Sequence, residues 1–141
     1  METGEKRIEY ELIEDLEFDP LNPRLPSSLD KNDEVAVIRW MLRDAAIIQL
    51  MESIGERGYF PGEPLLVTKA IEDGKFSVVE GNRRLSAVKL LANPEQAPTR
   101  GKSVRRASEE ARVKPKKLPV IKYDKREEIL DYLGYRPSVT T

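Results

Sequence analysis

The sequence changes its periodicity abruptly at a single glycine. The residues before it, Phe76–Glu80, are largely β-branched or apolar, as in a strand, whereas those from Asn82 onward place apolar side chains at helical spacing. Gly81 alone separates the two patterns. A strand must therefore enter a helix through a one-residue turn, and this requirement restricts the fold more than any other local feature of the chain.

Two arginines, Arg83 and Arg84, fall in the first turn of the predicted helix. That turn carries unpaired N–H groups and a partial charge of about +0.5, so cations there are unfavourable by themselves. A phosphate would accept hydrogen bonds from the amides and pair with the guanidinium groups. We therefore predict an anion site at this turn. The alternative is a solvated helix start whose arginines pair with Glu80 and other acids.

The composition excludes several kinds of chemistry. None of the 141 residues is cysteine or histidine. Disulfides, thiolate nucleophiles and Cys/His metal sites are therefore excluded, and catalysis would need carboxylates, lysine, arginine, hydroxyls or an oxygen-bound cation. No apolar run reaches the roughly 18 residues that indicate a membrane span, so we expect a cytoplasmic protein without a membrane partner.

Strand and helix patterns occur in a mixed order. Strands are predicted within Ile8–Leu16 (one or two, at a sheet edge), at Leu65–Ile71 and Phe76–Val79 (a hairpin), and at Leu118–Tyr123. Helices are predicted after a cap at Asp30 or Asn32, after a second cap at Asp44 and ending at Gly58, after Gly81, and over Lys125–Leu133. We interpret Trp40, on the first of these helices, as a core residue. The order favours an α+β fold, with a small mixed sheet and packed helices.

Charge is distributed unevenly along the chain. Residues 1–34 contain eleven acidic and four basic side chains, whereas residues 97–117 contain eight basic and two acidic ones. We expect residues 95–117 to be a basic loop or insertion with one or two helical turns. Its cations either contact a nucleic-acid backbone or balance the acidic segment, and no interleaved aromatic residues indicate base stacking. The candidate backbone contacts are Arg100, Lys102, Arg105 and Arg106.

Several separated blocks of sequence resemble, in order, the N-terminal domain of the ParB/sulfiredoxin superfamily, also called the ParB-like nuclease domain. The blocks are Asp19–Arg24, Leu50–Ile54 with Gly58, Glu63–Val67, Val79–Ala87 and Leu118–Ile121. The resemblance covers about residues 12–123. It implies a ParB/sulfiredoxin-like fold in which the glycine-arginine turn binds nucleotide phosphates.

The resemblance also implies a set of site residues. Those expected to bind phosphate or nucleotide are Gly81, Asn82, Arg83, Arg84, Asn22, Arg24 and Glu63. The implied ligand is a nucleoside triphosphate, CTP or ATP, with Mg²⁺ as the accompanying ion. Without the resemblance, the Asn22–Arg24 segment is equally explained as turn chemistry, and Glu63 as the residue that leads through Pro64 into a strand.

Three positions depart from the family pattern. Asn82 replaces the glutamate of the Gly-Glu-Arg-Arg motif of ParB, which leaves Glu80 as the candidate catalytic carboxylate and puts hydrolysis in question. Ser86 stands where partition proteins often have another arginine, so one cation of the triphosphate site is missing and CTP in particular is questioned. The catalytic cysteine of sulfiredoxin would fall at Asn82, so sulfiredoxin activity is excluded.

We predict a nucleotide-binding module whose occupancy changes its association with itself or with DNA. Chains with the Glu-Gly-Asn-Arg-Arg variant look like bacterial or phage proteins, many of which continue beyond a stretch like Tyr132–Arg136 into a helical DNA-binding region. We therefore expect residues 1–141 to be a single domain and a fragment of a longer protein. The alternatives are a metal-dependent nuclease and a phosphotransferase on the same fold. Carboxylates available to a nuclease are, by elimination, Glu80, Glu109, Glu110 and Asp124.

Overall fold

The computed structural model describes residues 6–22, 25–30, 32–44 and 46–134. This part of the chain contains five strands, five α-helices and two short 3₁₀ helices. The elements are β1 (Glu9–Leu12), β2 (Leu16–Phe18), α1 (Glu34–Met41), α2 (Ala46–Arg57), β3 (Leu65–Lys69), β4 (Phe76–Glu80), α3 (Asn82–Ala92), α4 (Gly101–Glu110), β5 (Lys117–Lys122) and α5 (Arg126–Tyr132). The predicted α+β class is confirmed.

The strands form one mixed sheet in the order β1-β5-β3-β4-β2. The predicted hairpin is β3 and β4, which pair antiparallel with Lys69 opposite Phe76. The strands β1 and β2 lie at opposite edges although only the 3₁₀ turn Ile13–Asp15 separates them. Four residue steps span at most about 14 Å, whereas the outer strands of a flat five-stranded sheet lie about 19 Å apart. The sheet must therefore curl so that its two edges approach each other.

Alternate residues of β3 face two separate apolar clusters. Leu65 and Val67 join the main core formed with α1 to α4, and Leu66 faces a smaller cluster beneath Ile129 of α5. Trp40 packs against the main core while remaining partly exposed, so its interpretation as a core residue holds only in part. Helices therefore cover both sides of β3. No helix among the described residues is long and apolar enough to cross a membrane.

The cap of α1 differs from the prediction. Asp33 is the N-cap, and its Oδ1 accepts hydrogen bonds from the N–H groups of Val35 at 3.1 Å and Ala36 at 3.3 Å. Asp30 instead accepts from the N–H of Asn32 at 3.1 Å, in a turn that precedes the helix. The prediction of a cap at Asp30 or Asn32 is wrong, because several acidic and amide residues compete here and local turn formation takes the earlier ones.

Residues 95–117 also contain more helix than predicted. Pro94–Gln96 forms a 3₁₀ turn and Gly101–Glu110 forms the ten-residue helix α4. The buried face of α4 uses mostly small residues, Val104, Ala107 and Ser108, and the Ser108 hydroxyl donates to the Leu91 carbonyl at 2.9 Å. The charged residues of α4 lie on the opposite face, so the helix is amphipathic although its buried face has no large apolar residue.

Candidate functional site

The chain passes from β4 into α3 through Gly81, as the sequence predicts. Gly81 has φ +106°, and a Cβ atom at this position would lie 2.3 Å from Cδ2 of Leu65. Both the backbone angle and the contact therefore require glycine. No side chain in the described part of the chain caps α3, and the first N–H groups of a helix have no intrahelical partner.

A cavity of about 540 Å³ lies beside this turn. Its volume is within the range of small-molecule sites. It is lined by residues of α1, the α1–α2 turn, the loop after β2 and the β4–α3 turn: Asn22, Leu25, Trp40, Met41, Arg43, Asp44, Val79, Glu80, Gly81, Asn82 and Arg83. The structure thus brings together five of the residues predicted from sequence, namely Asn22, Glu80, Gly81, Asn82 and Arg83.

Arg83 faces the cavity and pairs with a carboxylate there. Its Nη2 lies 2.5 Å from Oδ2 of Asp44, and both side chains are about half exposed. The other oxygen of Asp44 accepts a hydrogen bond from the N–H of Ala46, at the start of α2, at 2.9 Å. This backbone hydrogen bond, and then the charges of Arg83 and Arg100, lower the pKa of Asp44. An anion bound at this turn would share Arg83 with Asp44 or displace that carboxylate.

Arg84 does not line the cavity, although its guanidinium lies beside Glu80, which does. Its Nη1 donates to the carbonyl of Glu63 at 2.8 Å, and its Nη2 lies 3.6 Å from a carboxylate oxygen of Glu80. The hydroxyl of Tyr59 donates to the same carbonyl of Glu63 at 2.7 Å. Burial raises the pKa of Tyr59 to about 12, so this hydroxyl remains a donor at neutral pH. Arg84 therefore connects the β4–α3 turn to the segment before β3, and Glu63 contacts that arginine rather than the cavity.

Two buried polar atoms of cavity-lining residues have no hydrogen-bond partner among the described residues. They are Oδ1 of Asn82, whose residue is 6% exposed, and Nε1 of Trp40. Oγ of Ser86, one turn after Asn82, is also buried without a partner in the described part of the chain. Because buried polar groups are nearly always paired, such atoms indicate positions that a ligand or water completes.

The loop after β2 is held by a residue far away in sequence. Arg126 of α5 donates from Nε and Nη2 to Oδ2 of the buried Asp19, at 3.0 and 2.8 Å, and also to the carbonyl of Leu21. Asp19 in turn accepts from the N–H of Leu21 at 2.9 Å. These bonds position Asn22 at the cavity. Arg24, the other residue predicted for this loop, lies outside the described residues.

Residues 13–113 match the ParB N-terminal domain family. The chain belongs to this family. Its fold is similar to the crystal structure of the C-terminally truncated chromosome-partitioning protein ParB from Caulobacter crescentus complexed with CTP-γ-S, with a TM-score of 0.52 at 20% identity. The alignment covers 96% of this chain and 56% of that one, so the chain spans just over half the length of that protein. No match is found among curated proteins.

The basic segment of this ParB N-terminal domain lies on α4. The four residues predicted to contact a nucleic-acid backbone are exposed there, and none lines the cavity: Arg100, Lys102, Arg105 and Arg106. Arg100 is the N-cap of α4 and lies close enough to Asp44 to help lower the pKa of that carboxyl. The other three lie on the solvent face of α4, so contact with a nucleic acid stays a prediction.

The carboxylates considered for a nuclease lie in different parts of this ParB N-terminal domain. Glu80 lines the cavity, Glu109 and Glu110 are exposed on α4, and Asp124 is exposed before α5. Within the described ranges, no group of three or more acidic side chains could hold a metal ion. The cavity itself offers two carboxylates, Glu80 and Asp44, and sequence reasoning identified Asp44 only as a helix cap.

Proposed function

We propose that this ParB N-terminal domain binds a nucleoside triphosphate in the cavity beside Gly81, and that occupancy changes its association with itself or with DNA. The observation that carries the proposal is the cavity at the start of α3, lined by Arg83 and by Asn82, whose buried Oδ1 has no hydrogen-bond partner among the described residues. A structure of similar fold was determined with a CTP analogue, which supports the same class of ligand.

The residues of the cavity fit the parts of such a ligand. First-turn amides of α3 and the guanidinium of Arg83 suit phosphate oxygens. The apolar wall of Leu25, Trp40 and Met41 suits the nucleoside. Magnesium binds in proteins through one or two carboxylates together with substrate phosphates, and Glu80 and Asp44 are the two cavity carboxylates, among the described residues, that would serve this role. Asn22 and Arg24 remain the residues proposed to close over the nucleotide.

Thermal unfolding with and without ligands tests the proposal. CTP, ATP, GTP and inorganic triphosphate are each added with and without Mg²⁺. A ligand at 100 times its dissociation constant adds about 2.7 kcal/mol of stability, equivalent to roughly 8 °C for a chain of this size. Arg83→Gln should reduce the shift, whereas Arg106→Gln, a matched change on the exposed face of α4, should leave it unchanged. The absence of a shift with all four compounds at millimolar concentration contradicts the proposal.

The switching part of the proposal needs a separate measurement. With the ligand that binds most tightly, sedimentation velocity should show a different oligomeric state from that of the ligand-free protein. Alternatively, the affinity for DNA in a mobility-shift assay should differ between the two. Unchanged behaviour in both assays, with ligand binding intact, would leave a nucleotide-binding domain without a switch.

A further inference from the structure

The cavity contains a guanidinium that the sequence motif does not include. Arg43 lies in the short turn between α1 and α2 and lines the cavity together with Arg83. Arg84, the second arginine of the motif, does not line it. The two arginines that line the cavity therefore come from different elements, the α1–α2 turn and the start of α3.

The three arginines differ in their partners. Arg83 pairs with Asp44, and Arg84 lies near Glu80 and Glu63. Arg43 has no carboxylate at ion-pair distance in the described part of the chain, and its guanidinium lies 5.7 Å from the centroid of the Trp40 ring. Of the two arginines that line the cavity among the described residues, Arg43 is thus the one without an acidic side chain at ion-pair distance, and its charge is the more available to a polyanion.

Contacts within the protein also restrict the backbone and the side chain of Arg43 before any ligand binds. Its N–H donates to the carbonyl of Trp40 at 3.2 Å, and the next N–H, of Asp44, donates to the carbonyl of Met41 at 3.1 Å. The contact of the guanidinium with the indole face orients the side chain along the cavity wall. A side chain restricted in this way loses less conformational entropy when it binds a ligand.

We propose that Arg43 is the second phosphate-binding guanidinium of this site, acting with Arg83 on the polyphosphate of the nucleotide. It would supply a cation that the family motif lacks here, because Ser86 stands where another arginine is often found. The inference rests on the proposed function, since it concerns the same cavity. In this arrangement the polyphosphate would contact both the α1–α2 turn, through Arg43, and the start of α3, through Arg83.

The experiment uses inorganic triphosphate and CTP as probes, with dissociation constants from isothermal titration calorimetry. Arg43→Gln should weaken binding of both about tenfold or more, the effect of losing a charge-assisted hydrogen bond. Arg43→Lys should recover part of the affinity. Arg39→Gln, an exposed arginine of α1 outside the cavity lining, is the control and should change affinity less than twofold.

The single tryptophan of the chain gives a second readout. Because Arg43 lies over Trp40, triphosphate should change the indole fluorescence of the wild-type protein, and Arg43→Gln should reduce that change. If the wild-type protein binds the probes and a folded Arg43→Gln protein binds them with the same affinity, the inference is overturned and the proposed function stands. No binding of either probe to the wild-type protein overturns both.

Discussion

The most demanding test of the site geometry is the substitution Gly81→Ala, because two independent costs coincide there. An L-residue at φ +106° is strained by about 1–2 kcal/mol. The new Cβ would also lie 2.3 Å from Cδ2 of the fully buried Leu65, and overpacking of this kind costs about 1–3 kcal/mol. The variant should therefore be destabilised by about 2–5 kcal/mol, which lowers Tm by roughly 6–15 °C in a protein of this size.

Gly74 provides a matched control for the backbone contribution. It has φ +83°, and a Cβ built there meets nothing within 4 Å. Gly74→Ala should therefore show the strain alone, about 1–2 kcal/mol or roughly 3–6 °C. Thermal unfolding followed by circular dichroism measures both variants against the wild-type protein.

A double-mutant cycle identifies the steric contribution. Leu65→Val removes the Cδ2 atom that the new methyl group would meet, so Gly81→Ala should be less harmful in that background than in the wild-type protein. The reasoning is refuted if Gly81→Ala costs no more than Gly74→Ala, or if the two changes at Gly81 and Leu65 are simply additive. Either result would mean that the strand-to-helix turn is not as tight as the structure has it.

Three further variants test the surroundings of the cavity. Asp44→Asn keeps an oxygen that can cap α2 but removes the charge that competes for Arg83, so calorimetry should show inorganic triphosphate binding about two- to fivefold more tightly. Tyr59, with its pKa raised to about 12, favours the folded state while protonated; this contribution is present below pH 10 and is lost between about pH 10 and 12, and urea unfolding of Tyr59→Phe should lack that pH dependence. Asp19→Asn leaves Arg126 without its buried carboxylate and should cost about 2–4 kcal/mol in chemical unfolding.

The sequence predicted the elements whose structure depends on residues close together in the chain. The switch at Gly81, the β3–β4 hairpin and the amphipathic face of α2 are all visible within short windows, and the structure has them. The length of α4 exceeds the one or two turns expected for it, although its charged and small residues alternate at helical spacing, because no large apolar residue marks the buried face. The contact of Asp19 with Arg126 spans 107 positions, so no local pattern could indicate it.

The site was predicted only in part for a geometric reason. Arg83 and Arg84 are consecutive on a helix, and consecutive side chains point about 100° apart, so they do not share one face. Helical geometry alone could therefore have indicated that one of the two would leave the cavity, as Arg84 does. Arg43 could not be found in the same way, because the α1–α2 turn reaches the cavity only through tertiary packing.

Any anion that binds to Arg83 must compete with Asp44, because the two side chains form an ion pair. Exposed pairs of this kind contribute little to stability, so Asp44 holds Arg83 in place without competing strongly against a polyphosphate. A polyphosphate brings several negative charges and also accepts from the first-turn amides of α3, which Asp44 does not reach in the described contacts. If a polyphosphate binds as proposed, its exchange for Asp44 would release that carboxylate and change the charge balance of the α1–α2 turn, where Arg43 and Asp44 are neighbours.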